Sequence, residues 1–158
     1  MKKLLLMLTV ILTVIGANAQ KVGKELKGYE IGSKYSGSKI VETTVGKIPC
    51  YISISTLKDS SIFRLTVITK NRRVSYRDVE ILKNGLIKKF NITSKKRYKN
   101  KYSSDYSITQ TVKSINYWIN VKYNKYASPR YKIAFIIKDL NLEKIYKKEQ
   151  QEKANTDF

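Results

Sequence analysis

Regular alternation of apolar and polar residues is the dominant pattern in the second half of the chain. Between Ile115 and Tyr123 every odd-numbered position is Ile, Tyr or Val, whereas most of the even-numbered positions are Asn or Lys. Because successive side chains of a β-strand point to opposite faces of a sheet, this period of two predicts a strand with one buried face. The segment from Tyr131 to Ile137 alternates similarly, but Ala134 and Ile136 occupy its second face. We expect that strand to be buried on both faces.

Similar patterns predict several further short strands, which are separated by turn residues. These strands cover residues 40–45, 48–57, 62–69 and 106–112. About seven or eight short strands at this spacing predict an all-β fold, either an antiparallel β-sandwich or a barrel.

The segment from Val74 to Phe90 supports two interpretations. Ser75 with Asp78 three residues later resembles the start of a helix, which Gly85 could then end. Asn84-Gly85 between two apolar runs is instead typical of a two-residue hairpin turn, in which both central residues need positive φ. The β-rich surroundings favour the hairpin.

Composition sets the borders of the single predicted domain. Residues 20–38 are rich in glycine and have almost no apolar run, so we expect a polar N-terminal arm there. The β-rich domain at residues 39–146 ends with the start of a short helix, because apolar residues after Asp139 have helical spacing. We expect the wholly polar residues 147–158 to form a frayed tail.

Residues 1–19 have the composition of a secretory signal peptide. Two lysines precede an apolar run from Leu4 to Ile15, and Ala17-Asn18-Ala19 is a small-x-small cleavage site. The apolar run is shorter than the about 20 residues that span a bilayer. We therefore expect cleavage between Ala19 and Gln20, and a periplasmic or secreted mature chain without a transmembrane segment.

The chain is strongly basic, with 32 Lys and Arg residues against 12 Asp and Glu residues, a formal charge of +20. Removal of the predicted signal peptide with its two lysines leaves +18. Such a charge attracts anionic polymers and surfaces. The lysines and arginines could bind anionic groups, and the tyrosines interleaved with them could stack on rings or bases. The candidate anion-binding residues are Lys95, Lys96, Arg97, Tyr98, Lys99, Lys101, Tyr102, Lys122, Lys125, Tyr126, Arg130 and Lys132.

A structural interpretation of these basic and aromatic segments is also open. Tyrosine is common in strands, where it packs on the sheet, and lysine protects sheet edges from aggregation.

Several kinds of chemistry are excluded by composition. The absence of histidine removes the Ser-His-Asp triad and histidine metal ligands, and the single cysteine, Cys50, allows neither an intramolecular disulfide nor a thiolate zinc site. We expect Cys50 to be a buried small hydrophobic residue. Asp78 and Glu80 would share one face of a strand and could form a carboxylate pair or hold a cation. Flanking basic residues would equally make them part of an ordinary solvated surface.

These observations predict an exported, non-enzymatic protein without a cofactor, which binds an anionic polymer or lipid head groups at the cell envelope. The first alternative is an immunity or inhibitor protein that neutralises one protein partner, most readily an acidic one. The second is a carboxylate-dependent enzyme that uses Asp78 and Glu80. Export disfavours nucleic acid as a partner and leaves extracellular DNA as the main candidate of that class.

Overall fold

The computed structural model describes residues 22–70, 74–93, 97–99, 106–123 and 131–156 of the chain. Within these ranges it contains nine strands and two helices. The strands are β1 (Glu25–Leu26), β2 (Tyr29–Glu30), β3 (Ile40–Val45), β4 (Ile48–Thr56), β5 (Ile62–Thr69), β6 (Arg97–Lys99), β7 (Tyr106–Val112), β8 (Ile115–Tyr123) and β9 (Tyr131–Asp139). The helices are α1 (Tyr76–Lys89) and α2 (Leu140–Thr156).

Seven strands form one antiparallel sheet with the order β3-β4-β5-β9-β8-β7-β6, and β1 pairs with β2 separately. Two runs of consecutive antiparallel strands, β3 to β5 and β6 to β9, are joined where β9 pairs with β5. In the described part of the chain the edge strands β3 and β6 do not pair with each other, so the sheet is not closed into a barrel. The predicted antiparallel all-β class is confirmed, and the barrel form of it is excluded.

The alternation that predicted the strands also decides which face of the sheet is buried. Ile52, Val67, Phe135 and Ile119 are successive partners across four neighbouring strands. Each of them is at most 1% exposed. We call the side that carries these residues the inner face and the opposite side the outer face. The predicted strands at residues 40–45, 62–69, 106–112 and 115–123 are confirmed with those bounds.

Helix α1 packs against β9 and supplies apolar side chains to the core on the inner face. Val79, Leu82 and Leu86 have helical spacing and are all buried. Ser75 and Asp78 form a reciprocal capping box at the start of the helix. The prediction of a β-hairpin over this segment is therefore wrong. The helix places three apolar residues on the core, and their burial offsets the roughly 1 kcal/mol that a glycine costs inside a helix.

Asn91, not Gly85, follows the end of helix α1. Its φ of 48° is left-handed, and the N–H groups of Asn91 and Ile92 donate to the carbonyl oxygens of Lys88 and Ile87 at 3.3 Å and 2.9 Å. This is the Schellman arrangement, in which two N–H groups beyond the helix satisfy carbonyls of its last turn. The helix therefore continues through Gly85 to Lys89.

The segment expected to be a polar arm contributes to the core from Val22 onward. Leu26 and Ile31 are 2% and 4% exposed, and both belong to the main hydrophobic cluster. Sequence periodicity could not show this, because each residue is an isolated apolar position between turns. The short β1-β2 ribbon instead brings Leu26 and Ile31 against the core.

Helix α2 is longer than the short helix that the sequence predicted, because it continues through polar residues to Thr156. Asp139 caps it through hydrogen bonds from the backbone N–H groups of Asn141 and Leu142. Tyr146 stacks on Phe63 of β5 with ring centroids 4.6 Å apart. A carboxylate oxygen of Glu149 accepts a 3.2 Å hydrogen bond from the Lys58 N–H. These contacts hold the helix at the end of the sheet where β5 begins.

Neither helix in the described part of the chain is long and apolar enough to cross a membrane.

Candidate anion-binding site

Of the twelve candidate anion-binding residues, the structure describes five. Lys122 and Lys132 lie in β8 and β9, and the backbone of Arg97–Lys99 forms the edge strand β6. Strand β6 is two strands away from β8, which corresponds to about 10 Å. The remaining candidates lie outside the described residues: Lys95, Lys96, Lys101, Tyr102, Lys125, Tyr126 and Arg130.

Lys122 and Lys132 are directly opposite each other on neighbouring strands. Both side chains are exposed, and the alternation of buried positions in β8 and β9 places both on the outer face. Directly opposite residues of an antiparallel pair have Cβ atoms about 5 Å apart. Neither lysine forms an ion pair with any residue in the described ranges. Among the described residues, these two cations therefore lie side by side on the sheet surface without a compensating carboxylate.

Lys70 extends this pair towards β5. Ile68 of β5 pairs with Ala134 of β9. Continuing this antiparallel register by two residues places Lys70 opposite Lys132. Its charge, however, is compensated, because Lys70 forms an ion pair with Glu42. Its ammonium nitrogen also lies 4.8 Å from the centroid of the Tyr51 ring. Within the ranges that the structure describes, the part of the row without an ion pair therefore consists of Lys122 and Lys132, which we call the lysine pair.

The tyrosines that alternate with these lysines in sequence lie on the other face of the sheet. Tyr123 and Tyr131 are cross-strand partners with ring centroids 4.9 Å apart, and Tyr131 also contacts Tyr76 of helix α1 at 5.5 Å. Successive strand residues point to opposite faces, so Lys122 and Tyr123 do not present a common surface. At this position the structure supports the packing interpretation of the tyrosines rather than a mixed lysine and tyrosine site.

A continuous apolar stripe, which the sequence did not predict as a site, crosses the outer face beside the lysine pair. Tyr51 pairs with Ile68 and Ile68 with Ala134, while Ile136 pairs with Trp118. Ala134 and Ile136 are two residues apart on the same face of β9 and join the two groups. We call these five residues the outer stripe.

The outer stripe is open to solvent, since Tyr51 and Ile68 are 38% and 41% exposed. Ala134, Ile136 and Trp118 are half-buried. The prediction that β9 is buried on both faces is therefore wrong for its outer face. The sequence signal for the stripe is the pair of apolar residues Ala134 and Ile136 at outer positions of β9, a pattern that burial on both faces would also produce.

Asp78 and Glu80 do not form a carboxylate pair on a strand, so that sequence-based hypothesis is wrong in its geometry. Asp78 accepts hydrogen bonds from the backbone N–H and hydroxyl of Ser75 at 2.9 Å and 2.7 Å, and the N–H bond in particular holds the Asp78 pKa below its usual range. Glu80 forms an ion pair with Lys83 one turn later. Both carboxylates thus have structural roles in helix α1. No group of acidic or cysteine residues in the described ranges is arranged to hold a metal ion.

Cys50 is fully buried in β4, as expected from the apolar run around it. Its thiol lies 3.3 Å from the carbonyl oxygen of Ile48, to which it donates. Burial raises the pKa of the thiol, which keeps it in the protonated, unreactive form.

No protein-family model, no curated protein and no solved structure matches this chain. Its function is therefore argued from its own residues.

Proposed function

We propose that this chain is an exported, non-enzymatic protein that binds an anionic partner, and that the lysine pair on the outer face is part of the contact. The observation that carries the proposal is the direct cross-strand pairing of Lys122 with Lys132, without a compensating carboxylate among the described residues. The signal-peptide pattern at residues 1–19 supports the choice of the cell envelope or the exterior as the place of action.

Like charges directly opposite each other on a sheet destabilise the strand pair. A phosphate or carboxylate between the two ammonium groups would remove this repulsion and add two charge-assisted hydrogen bonds. The lysine pair therefore suits a ligand group with two or more anionic oxygen atoms.

The net charge supports the same proposal at longer range. With a formal charge of +18 after removal of the predicted signal peptide, the protein attracts polyanions over about 10 Å at 0.1 M salt. This attraction brings an anionic polymer or membrane surface to the protein, and the lysine pair gives it a defined contact. An anionic envelope polymer and lipid head groups present the same phosphate or carboxylate chemistry.

The salt dependence of binding to a defined polyanion tests the lysine pair. We would measure the affinity for a short DNA duplex, used only as a probe of known charge density, at several salt concentrations. Replacing both lysines (Lys122→Gln and Lys132→Gln) removes two phosphate contacts, which should reduce the slope of log K against log salt by about 1.8.

The matched control replaces Lys144 and Lys148 of helix α2 with glutamine. Both residues are exposed, and they lie at the opposite end of the sheet from the lysine pair. The control makes the same change in net charge but lies away from the proposed contact, so it should leave the slope nearly unchanged. An equal reduction in both variants would mean diffuse attraction only and would reject the lysine pair as a contact.

The outer stripe favours a second candidate function, an immunity or inhibitor protein that neutralises a protein partner. An exposed apolar surface next to cations is suited to a packed protein interface, whereas a simple polyanion would leave the stripe uncovered. A complex formed in this way would persist at a salt concentration that releases polyanions.

A further inference from the structure

We infer that the outer stripe is a docking surface for an acidic, amphipathic segment of a protein partner. This inference rests on the proposed function, because the lysine pair would supply the electrostatic part of the same contact.

The first step is the continuity of the stripe. Tyr51, Ile68, Ala134, Ile136 and Trp118 belong to β4, β5, β9 and β8, which are four adjacent strands. At a strand spacing of about 4.8 Å the stripe is roughly 14 Å long. Single apolar residues are ordinary on a protein surface, whereas contiguous exposed apolar surface is a feature of interaction sites.

The second step is the charge on both sides of the stripe. The lysine pair lies on one side. Lys132 is two residues before Ala134 in β9, so the two side chains are neighbours on the outer face. On the other side Arg64 and Lys138 are cross-strand partners. Arg64 lies over the ring of Phe63, whereas Lys138 forms an ion pair with Glu143. The apolar centre is thus bordered by the lysine pair on one side and by Arg64 on the other, whereas the charges of Lys138 and Lys70 are compensated by Glu143 and Glu42.

The charge and the apolar surface together decide which partner fits the outer stripe. A second copy of this chain would bring an identical basic border against this one, so like charges would oppose the contact. A polyanion without apolar groups would satisfy the lysine pair but would not bury Ile68 or Tyr51. A segment with apolar residues on one side and carboxylates at its margins matches both features. An α-helix, about 10–12 Å across, has a width that fits between the basic borders.

The test uses two synthetic peptides of about 18 residues made from leucine and glutamate. In the first, the leucines lie on one face of a helix; in the second, the same residues are scrambled. The peptides have the same composition and net charge, so their affinity ratio reports the segregation of the leucines onto one face and not the overall charge. We expect the purified full chain to prefer the first peptide by about tenfold, as burial of one or two side chains allows.

Ile68→Thr should reduce this preference to about threefold or less, because the substitution removes apolar contact area at the centre of the stripe. Ile40→Thr is the matched control. Ile40 is also on the outer face and is 61% exposed, but it belongs to the edge strand β3, where its cross-strand partner is the polar Ser53 and not a member of the stripe. It should retain the full preference. Both positions are exposed, and threonine suits a strand, so both variants should fold.

Three outcomes would overturn the inference. Equal affinities of the two peptides for the unmodified protein would show that the stripe makes no contact. An equal loss of preference in the Ile68 and Ile40 variants would place the contact elsewhere. Tighter binding to phosphatidylcholine and phosphatidylglycerol vesicles than to either peptide, with a loss in the Ile68 variant, would identify a membrane surface as the occupant.

The lysine-pair variant separates this inference from the proposed function. If the double variant Lys122→Gln and Lys132→Gln lowers the affinity for both peptides equally, and the ratio of the two affinities is near one, the proposed function stands and the docking inference fails. If that variant changes neither affinity, the proposed function fails even where the peptide ratio stays high.

Discussion

Tyr117 donates a 2.7 Å hydrogen bond from its hydroxyl group to the carbonyl oxygen of Gly23, 94 residues earlier in the chain. The Tyr117 side chain is 1% exposed and is the third residue of β8. Its ring is 5.4 Å from that of Phe90, at the end of helix α1. The N-terminal segment, helix α1 and the central sheet therefore meet at this tyrosine.

Replacement of Tyr117 with phenylalanine should lower the free energy of unfolding by about 1–2 kcal/mol. The ring contacts remain, but the Gly23 carbonyl loses its partner in a half-buried position. Urea denaturation measures the change. The control is Tyr76→Phe, because the Tyr76 side chain is 56% exposed. Equal losses in the two variants would show that the Tyr117 hydroxyl contributes nothing specific.

Gly23→Ala should destabilise the protein by about 1–3 kcal/mol, the usual cost of overpacking. A Cβ atom at Gly23 would lie 2.9 Å from Cδ1 of the Phe90 ring. That ring stacks on Phe135 with centroids 5.0 Å apart, so it cannot move away without disturbing the core. Thermal unfolding would measure the loss, and an unchanged midpoint would mean that the N-terminal segment does not pack on Phe90.

Gly85→Ala should have the opposite sign and raise the free energy of unfolding by about 0.5–1 kcal/mol, since alanine favours a helix interior. A Cβ atom at Gly85 would meet no other atom within 4 Å. In an Asn-Gly hairpin the same substitution would destabilise, because the turn needs positive φ at the glycine. The sign of this one stability measurement therefore decides between helix and hairpin.

Ser75→Ala should cost about 1 kcal/mol through the loss of the helix cap. The Ser75 hydroxyl accepts a 3.1 Å hydrogen bond from the Asp78 N–H and donates to the Asp78 carboxylate. The Ser75 N–H bond to that carboxylate is independent of the side chain, so the pKa of Asp78 should rise only part of the way to its usual value. Carboxyl NMR titration follows this. Exposed Ser36 provides the control through Ser36→Ala.

The contact of Asp59 with Lys34 leads to a second prediction, which concerns the pH dependence of stability. The Lys34 ammonium group, followed by the N–H and hydroxyl of Ser61, lowers the Asp59 pKa from 3.8 to about 2. Because the folded pKa is below the unfolded one, the contribution of Asp59 to stability is complete above pH 4 and is lost as the pH falls towards 2. Lys34→Met should raise the Asp59 pKa in an NMR titration and move acid unfolding to higher pH.

The control for Lys34→Met is Lys122→Met, which removes the same charge at the other end of the sheet. It should leave the Asp59 titration where it is. If both variants shift the Asp59 pKa equally, the cause is the net charge of the protein rather than the Lys34 contact.

The strands were the part of this fold that could be predicted from the sequence. A strand requires only that side chains alternate between two environments, and that alternation is visible in any run such as Ile115–Tyr123. The capping pair Ser75 and Asp78 is equally local, and it correctly indicated a helix start. The conflicting Asn84-Gly85 signal was overruled because the inner face of the sheet, formed by strands distant in sequence, binds the apolar face of the helix.

The candidate site likewise has features that the sequence determines and features that depend on the tertiary structure. The sequence by itself determined that the protein is strongly basic, that Lys122 and Lys132 belong to strands, and that histidine chemistry is absent. Only the tertiary structure decided that these two lysines are direct partners and that Tyr51, Ile68 and Trp118 share a surface with them. Such neighbours are set by strand order and register, which depend on how the whole core packs, so no local pattern encodes them.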